Sequence, residues 1–402
     1  MRHRAILFGA VVALFLLSGG CSAPVAKYVP EPEAVETGDL SVGVFRCPLW
    51  YEKTRPGCWD VLKEYPGRTP VLGYYNEACP EVVDWEVKYA LEHGIGFFFE
   101  CWFRAKDNVG QTPVEAVLDN WLHEGFFKSR YGDRMKFAIL WENTNGIASG
   151  VASEADLVEN LVPYWIGHFF SRDNYLRVDG KPLLMIYGYA RFIEELGGRE
   201  QAAAAIARMK EVCREAGLNG LYLMAEHHEN LEQDLTFLAE MGFDAVTSYH
   251  WPSFSGLMAQ IPEQTEEIVG LQEACWNALG HASQMPTVPT LSMGWDSAPW
   301  GGSFYKGQWH LTPGQYGELA VRARRHAEVG PKTPVSGMIL LDNWNEFGEG
   351  HYIFPTQEFG FGYLDAVRSV FSDAPHKHTD LRPEEIGLGP YTYEKTKNQN
   401  ND

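Results

Sequence analysis

Eight short apolar runs, each followed by an amphipathic stretch, dominate the chain from Leu40 onward and leave few folds open to it. The runs are LSVGVFRCPLW from Leu40, IGFFFECWF from Ile95, MKFAILWEN from Met135, PLLMIYGY from Pro182, LYLMAEH from Leu221, DAVTSYHW from Asp244, VPTLSMGWD from Val288 and SGMILLDNWNE from Ser336. Near-continuous β-branched and aromatic runs are the mark of strands covered on both faces, as in parallel sheets. Helix-period segments lie at 80–93, 113–127, 153–170, 199–216, 230–241, 263–281, 313–328 and 362–371, one after each run. Repeated βα units of this number predict an α/β chain closed into a (β/α)8 TIM barrel. An open doubly wound sheet could use the same units, but no glycine-rich phosphate fingerprint follows the first run.

The chain ends divide the remaining residues. Arg2 and Arg4, the apolar run AILFGAVVALFLL, then Ser18, Gly19 and Gly20 before Cys21 have the form of a secretory signal over 1–20. Small residues ahead of a cysteine resemble a bacterial lipoprotein cleavage site, so lipidation of Cys21 is expected, with plain secretion as the alternative. The implied location is outside the cytoplasm, on a membrane or in the periplasm, with no membrane contact beyond the lipid on Cys21. Residues 21–39 are rich in Pro and Glu and predict a flexible tether. One barrel domain is expected over 40–372, with a polar C-terminal extension over 373–402.

Charge and cysteine usage narrow the partners. Against 33 Lys and Arg stand 53 Asp and Glu, a net charge of −20, which repels phosphate backbones and excludes nucleic acid as the natural partner. Aromatic residues reach 13%, which fits stacking on the flat faces of sugar rings as well as a large core. Cys47, Cys58, Cys79, Cys101, Cys213 and Cys275 show no zinc-ligand spacing and read as buried thiols or one local bridge, Cys47 to Cys58. No metal and no cofactor are expected.

Each run turns polar or aromatic at its end, and in a barrel those ends meet on the face where active sites are built. The candidate sugar-binding residues are therefore Trp50, Tyr51, Glu100, Trp102, Glu142, Asn143, Tyr189, His227, Tyr249, His250, Trp295, Asp296, Trp344 and Asn345. The EHHE cluster at 226–229 invites a metal reading, but neighbouring histidines on a strand point to opposite faces, so a structural role is favoured. Loops 46–70, 251–262 and 296–312 are where specificity is expected.

The candidate catalytic residues are Glu346 and Glu349, in LLDNWNEFGEGHY after the eighth run. Three-residue spacing in a turn sets two side chains on one face, and cleavage of a glycosidic bond needs a proton donor and a second carboxylate. Crowding raises one carboxyl pKa, and Gly348 and Gly350 permit a tight turn.

The blocks PVLGYYNEACPEVVDWEVKYALEHGIGFFFECWF, YLRVDGKPLLMIYG, LSMGWDSAPW, NWNEFGEGHYIFP and FGFGYLDAV resemble the glycoside hydrolase family 99-like group, over about 42–371. That group holds endo-α-mannosidases and the WbsX-like proteins of polysaccharide gene clusters. The resemblance implies an oligo- or polysaccharide substrate and divides the roles. Glu346 would be the base on the sugar's own 2-hydroxyl, giving a 1,2-anhydro sugar, and Glu349 the general acid and then base. Phe347 and Gly348 stand where the family segment WNEWHEG has Trp and His, which makes a WbsX-like relative the better match. Alternative readings are a non-catalytic glycan-binding lipoprotein and a polysaccharide-assembly protein. An exported location disfavours nucleotide-sugar donors in the latter.

Overall fold

The computed structural model describes residues 27–394 apart from 115–117, 119, 145–149, 252–264, 302–307, 331 and 377. Cys21 and the signal over 1–20 lie outside the described residues, as do parts of the loops at 251–262 and 296–312. The eight strands are β1 (Ser41–Arg46), β2 (Phe97–Phe103), β3 (Lys136–Glu142), β4 (Lys181–Ile186), β5 (Tyr222–Glu226), β6 (Ala245–Thr247), β7 (Thr290–Ser292) and β8 (Met338–Asp342). They run side by side in the order β6-β5-β4-β3-β2-β1-β8-β7, every pair parallel. Between β6 and the lead-in to β7, Val246 N–H donates to the Pro286 carbonyl at 3.0 Å and Val288 N–H to the Val246 carbonyl at 3.1 Å, which closes the ring. Each predicted run coincides with one strand, and the fold is the expected (β/α)8 barrel.

The longer outer helices are α1 (Pro80–Glu92), α2 (Arg199–Glu215), α3 (Thr265–Ser283), α4 (Pro313–Val329) and α5 (Gly362–Phe371). α4 starts on a capping box: Thr312 Oγ1 accepts from Gln315 N–H at 3.3 Å, Gln315 Oε1 accepts from Thr312 N–H at 2.9 Å, and Pro313 opens the first turn. Between β3 and β4 the chain alternates α and π turns over 154–170.

Two predicted helices are shorter than their sequence pattern. The segment at 230–241 is helical only over Phe237–Met241. Ahead of it, Asn230 Oδ1 accepts from Glu232 N–H at 3.2 Å and Asp234 Oδ1 from Thr236 N–H at 2.9 Å, local bonds that compete with helix. Helical turns over 121–128 are all that is described of the one predicted at 113–127.

The domain limits also differ from the sequence reading. Residues 27–39, expected as the end of a tether, lie against the barrel. Val29 is buried, the Tyr131 hydroxyl donates to its carbonyl at 2.8 Å, and Val35 N–H donates to the Leu91 carbonyl at 3.1 Å. The C-terminal extension packs too: Trp85 Nε1–H donates to the buried Tyr391 hydroxyl at 2.9 Å, and Tyr391 N–H to the Leu72 carbonyl at 2.8 Å. A few apolar or aromatic anchors hold each segment, and a composition dominated by Pro, Glu and Lys hides them. Among the described residues, six cysteines are buried and none is in a disulfide, and no helix is long and apolar enough to cross a membrane.

Side chains along each barrel strand alternate between the interior and the helix layer. On β2, Phe99 meets Phe45 of β1 inside the barrel, at 5.6 Å between ring centroids. Residues out of phase with it face outward, Phe98 meeting Trp121 at 5.3 Å and Trp102 meeting Trp165 at 5.6 Å. This alternation decides which strand-end residues reach the site.

Candidate active site

Beyond β8 the chain doubles back. Glu349 N–H and Gly350 N–H both donate to the Glu346 carbonyl, at 3.1 and 3.0 Å, and Glu346 pairs with His351 in an antiparallel bridge. The turn sends Glu346 and Glu349 into one cavity of about 420 Å³ at the C-terminal ends of the strands. Gly350 makes this possible with φ of +74°, in the left-handed region, where a Cβ would also lie 2.6 Å from the Asp296 backbone nitrogen. Gly350→Ala is expected to cost about 2 kcal/mol of stability, read from urea unfolding, because backbone meets backbone there. Trp300 fills the space a side chain at Gly348 would need, its indole 2.3 Å from the added Cβ.

Glu346 is buried, 5% exposed, and its Oε2 has no hydrogen-bond partner among the described residues. The Tyr249 hydroxyl donates to Oε1 at 3.4 Å and itself accepts from Asn343 Nδ2 at 2.6 Å. Burial, and then the neighbouring Glu349 carboxylate, raise the Glu346 pKa above the ordinary glutamate value.

Behind Glu349 stands a chain of buried groups. His351 donates from Nε2 to Glu349 Oε2 at 3.1 Å and from Nδ1 to Asp342 Oδ1 at 2.6 Å. The other Asp342 oxygen is engaged by His250 Nδ1. Burial works against a charged His351, but Asp342, with Glu349 and Glu346 adding to it, outweighs burial and pushes the imidazole up to about 10. Burial likewise opposes the Asp342 carboxylate, and His250 and His351 together hold its pKa well below the usual range. Ligand-type atoms of His250, Asp342 and His351, and of Glu346, Glu349 and His351, lie within 4.8 Å of one another. With both Asp342 oxygens bonded to ring nitrogens, the first trio is a hydrogen-bonded relay that sets the position of Glu349.

Residues 64–367 match the family described as Glycosyltransferase WbsX. The chain belongs to the WbsX family. It is similar to Uncharacterized protein WxcX of Xanthomonas campestris pv. campestris, 22% identical over 329 residues, 77% of this chain and 44% of the relative. The WbsX-family chain thus spans less than half the length of that curated relative. Among solved structures it resembles a glycoside hydrolase-like protein, with TM-score 0.59 and 18% identity over 86% of this chain and 98% of that one. It also resembles the GH99 endo-alpha-mannosidase from Bacteroides thetaiotaomicron, with TM-score 0.55 and 16% identity over 84% and 97%. At these identities the likeness shows the fold, a glycoside hydrolase-like barrel.

In this WbsX-family barrel the strand-end residues separate by direction. Glu142, Tyr249 and Trp295 line the same cavity as Glu346 and Glu349. Tyr189 and His227 line an adjoining cavity of about 660 Å³, which shares Thr144 and Tyr187 with the first, and the Tyr189 hydroxyl bonds His227 Nδ1 at 2.9 Å. In the EHHE cluster, His228 Nδ1 bonds Glu226 Oε1 at 2.6 Å. Asp296 lines a separate cavity of about 460 Å³ and is held by Arg68, which also donates to the Phe347 carbonyl at 3.0 Å.

The remaining candidates sit behind the cavity wall, which corrects their assignment to sugar contact. Trp50 is fully buried, stacks on Trp59 at 4.2 Å and donates from Nε1 to the Asn345 carbonyl at 2.8 Å. Asn345 grips Cys47 by both backbone groups, at 3.0 and 2.9 Å, and Asn143 grips Gly188 in the same way at 2.7 and 3.0 Å. Glu100 pairs with buried Arg46, Trp102 packs on Trp165, and Trp344 packs edge-on to Phe98. Tyr51 donates to Glu124 at 3.0 Å, and His250 is tied to Asp342.

Sequence reasoning missed Cys47, Cys101, Phe103 and Thr144 in the cavity wall, and His351 behind Glu349. Period-two alternation from Phe99 signals Cys101 and Phe103. No comparable signal marks His351.

Proposed function

We propose that this chain is a retaining glycoside hydrolase of α-linked, mannose-configured glycans, exported and lipid-anchored through Cys21. The observation that carries the reading is the address of the pair: Glu346 and Glu349 share one cavity at the strand C-termini, with one carboxylate oxygen of each within 4.8 Å of the other. So small a separation suits retention of configuration and leaves little room for the water of an inverting mechanism.

By the family resemblance, Glu346 takes the proton of the 2-hydroxyl as that oxygen attacks the anomeric carbon, while Glu349 protonates the departing oxygen. The glycosidic bond breaks and a 1,2-anhydro sugar forms. Glu349 then takes a proton from water, which opens the three-membered ring, and Glu346 returns its proton to the 2-oxygen. The free Oε2 of Glu346 and its raised pKa both suit a base aimed at a hydroxyl.

Because Glu346 must be ionised to act, its raised pKa moves the acid limb of kcat/KM upward. Activity is expected to fall on acidification well above the ~4.3 of an ordinary glutamate. A limb remaining there would contradict the base assignment.

The family description as a glycosyltransferase favours a second reading, in which a sugar hydroxyl replaces water as the acceptor in the same pocket. Incubating the protein with α-mannans and other α-linked glycans, with and without a short oligosaccharide acceptor, separates the two by mass spectrometry. Hydrolysis gives shortened chains with or without acceptor; transfer gives lengthened acceptor. No new product from any glycan would count against both.

A further inference from the structure

We propose that His93, His378 and Asp380 form a binding site for a divalent transition metal, zinc foremost, that fastens the C-terminal segment to the end of α1. The site lies away from the catalytic pair, at the opposite end of the barrel, where α1 runs out through Gly94 into β2. It does not depend on the catalytic reading.

Two of the three ligand-atom separations match those of a coordination shell. His93 Nε2 lies 3.2 Å from Asp380 Oδ1, and His378 Nε2 lies 3.6 Å from the same oxygen. Ligand atoms of all three residues fall within 4.8 Å of one another. Tetrahedral zinc with bonds of ~2.1 Å holds its ligand atoms ~3.4 Å apart. His93 Nε2 and Asp380 Oδ1 are both buried and have each other as an ion-pair partner.

The outer contacts fit the same role. His93 Nδ1 bonds the Tyr89 carbonyl at 2.7 Å, the contact that fixes a metal-binding histidine with its Nε2 lone pair toward the ion. Glu92 Oε2 lies 3.3 Å from His378 Nε2, and Asp365 Oδ1 lies 3.8 Å from His93 Nε2. Among the described residues, Lys88 and Arg368 are the facing cations, and both are engaged by Glu92, Lys88 at Oε1 and Arg368 at the backbone carbonyl. The carbonyl end of α1 adds partial negative charge. His93 has no exposed side-chain surface while His378 and Asp380 are 17% and 12% exposed, which leaves a path for the ion. Two imidazoles and a carboxylate select zinc-type ions over calcium or magnesium, which prefer all-oxygen shells.

The test uses the untagged chain, stripped with a chelator, dialysed against zinc chloride and then washed free of loosely held ion. One zinc per chain is expected by elemental analysis, with a rise in Tm of ~5 °C over the stripped protein. His378→Ala and Asp380→Asn should each lose both the zinc and the rise. Both are partly exposed, so their metal-free Tm values show directly whether they fold. His351→Gln should keep its zinc. The proposal is overturned by absence of stoichiometric zinc, which leaves His93 and Asp380 an ion pair, or by zinc that survives His378→Ala and Asp380→Asn.

Discussion

Glu349→Gln is expected to lower kcat on an accepted glycan by at least ~10³-fold with the fold intact, since it removes both the proton for the leaving oxygen and the base for water. Glutamine keeps the shape and can still receive the His351 Nε2–H bond, so the loss reads chemistry rather than collapse. Glu346→Gln should cost a similar factor for a different reason: the 2-hydroxyl loses its base. Its effect on stability has the opposite sign to most active-site losses. Glu346 has a raised pKa in the fold, so as pH rises above its unfolded value the buried charge increasingly opposes folding. Removing that charge should leave Tm at pH 7 equal to or above the wild type. Steady-state kinetics alongside thermal unfolding of both variants checks the pair, and near-normal turnover in either would remove that residue from the mechanism.

Asp342→Asn is expected to destabilise the fold by about 3–5 kcal/mol, because it leaves two buried histidines without the carboxylate between them. The pH dependence carries its own signature. Asp342 has a depressed pKa, so its stabilisation is present above its unfolded value of ~3.9 and is lost on acidification toward the folded value. His351 is raised to about 10, so its stabilisation is complete below its unfolded pKa and is lost as pH climbs to that value. Urea unfolding of the wild type should therefore show declining stability from pH 7 to pH 10, and the variant should show a much shallower decline. Equal slopes would remove His351 and Asp342 as a charged pair. Turnover should fall as well, through looser placement of Glu349 rather than loss of a reacting group.

The barrel was legible because its eight strand patterns and the helices between them are local, and local apolar periodicity survives in a single sequence. The address of Glu346 and Glu349 was legible for the same reason, since strand ends share one face. Which strand-end residues line the cavity required the direction of each side chain. Glu142 and Tyr249 point inward, whereas Trp102 and Trp344 belong to the helix layer, one position out of phase on a strand where sequence shows only aromatic residues. His351 and Asp342 look like ordinary polar residues until the fold brings them to Glu349. The group at His93, His378 and Asp380 was hidden more deeply, because its members come from opposite ends of the chain and no short spacing connects them. Gly348 shows a third kind of limit. The departure from the family segment is visible in sequence, but its cause, Trp300 filling the space, is a contact between distant loops.

The central claim is that two adjacent carboxylates cleave a glycosidic bond in two steps. Proton NMR of the first product released from an α-linked glycan, followed from the earliest minutes with Glu346→Gln and Glu349→Gln as controls, tests it most directly. The account predicts that the α-anomer appears first and mutarotates later, with no product from either variant. Initial release of the β-anomer, or product from both variants at the wild-type rate, would contradict it.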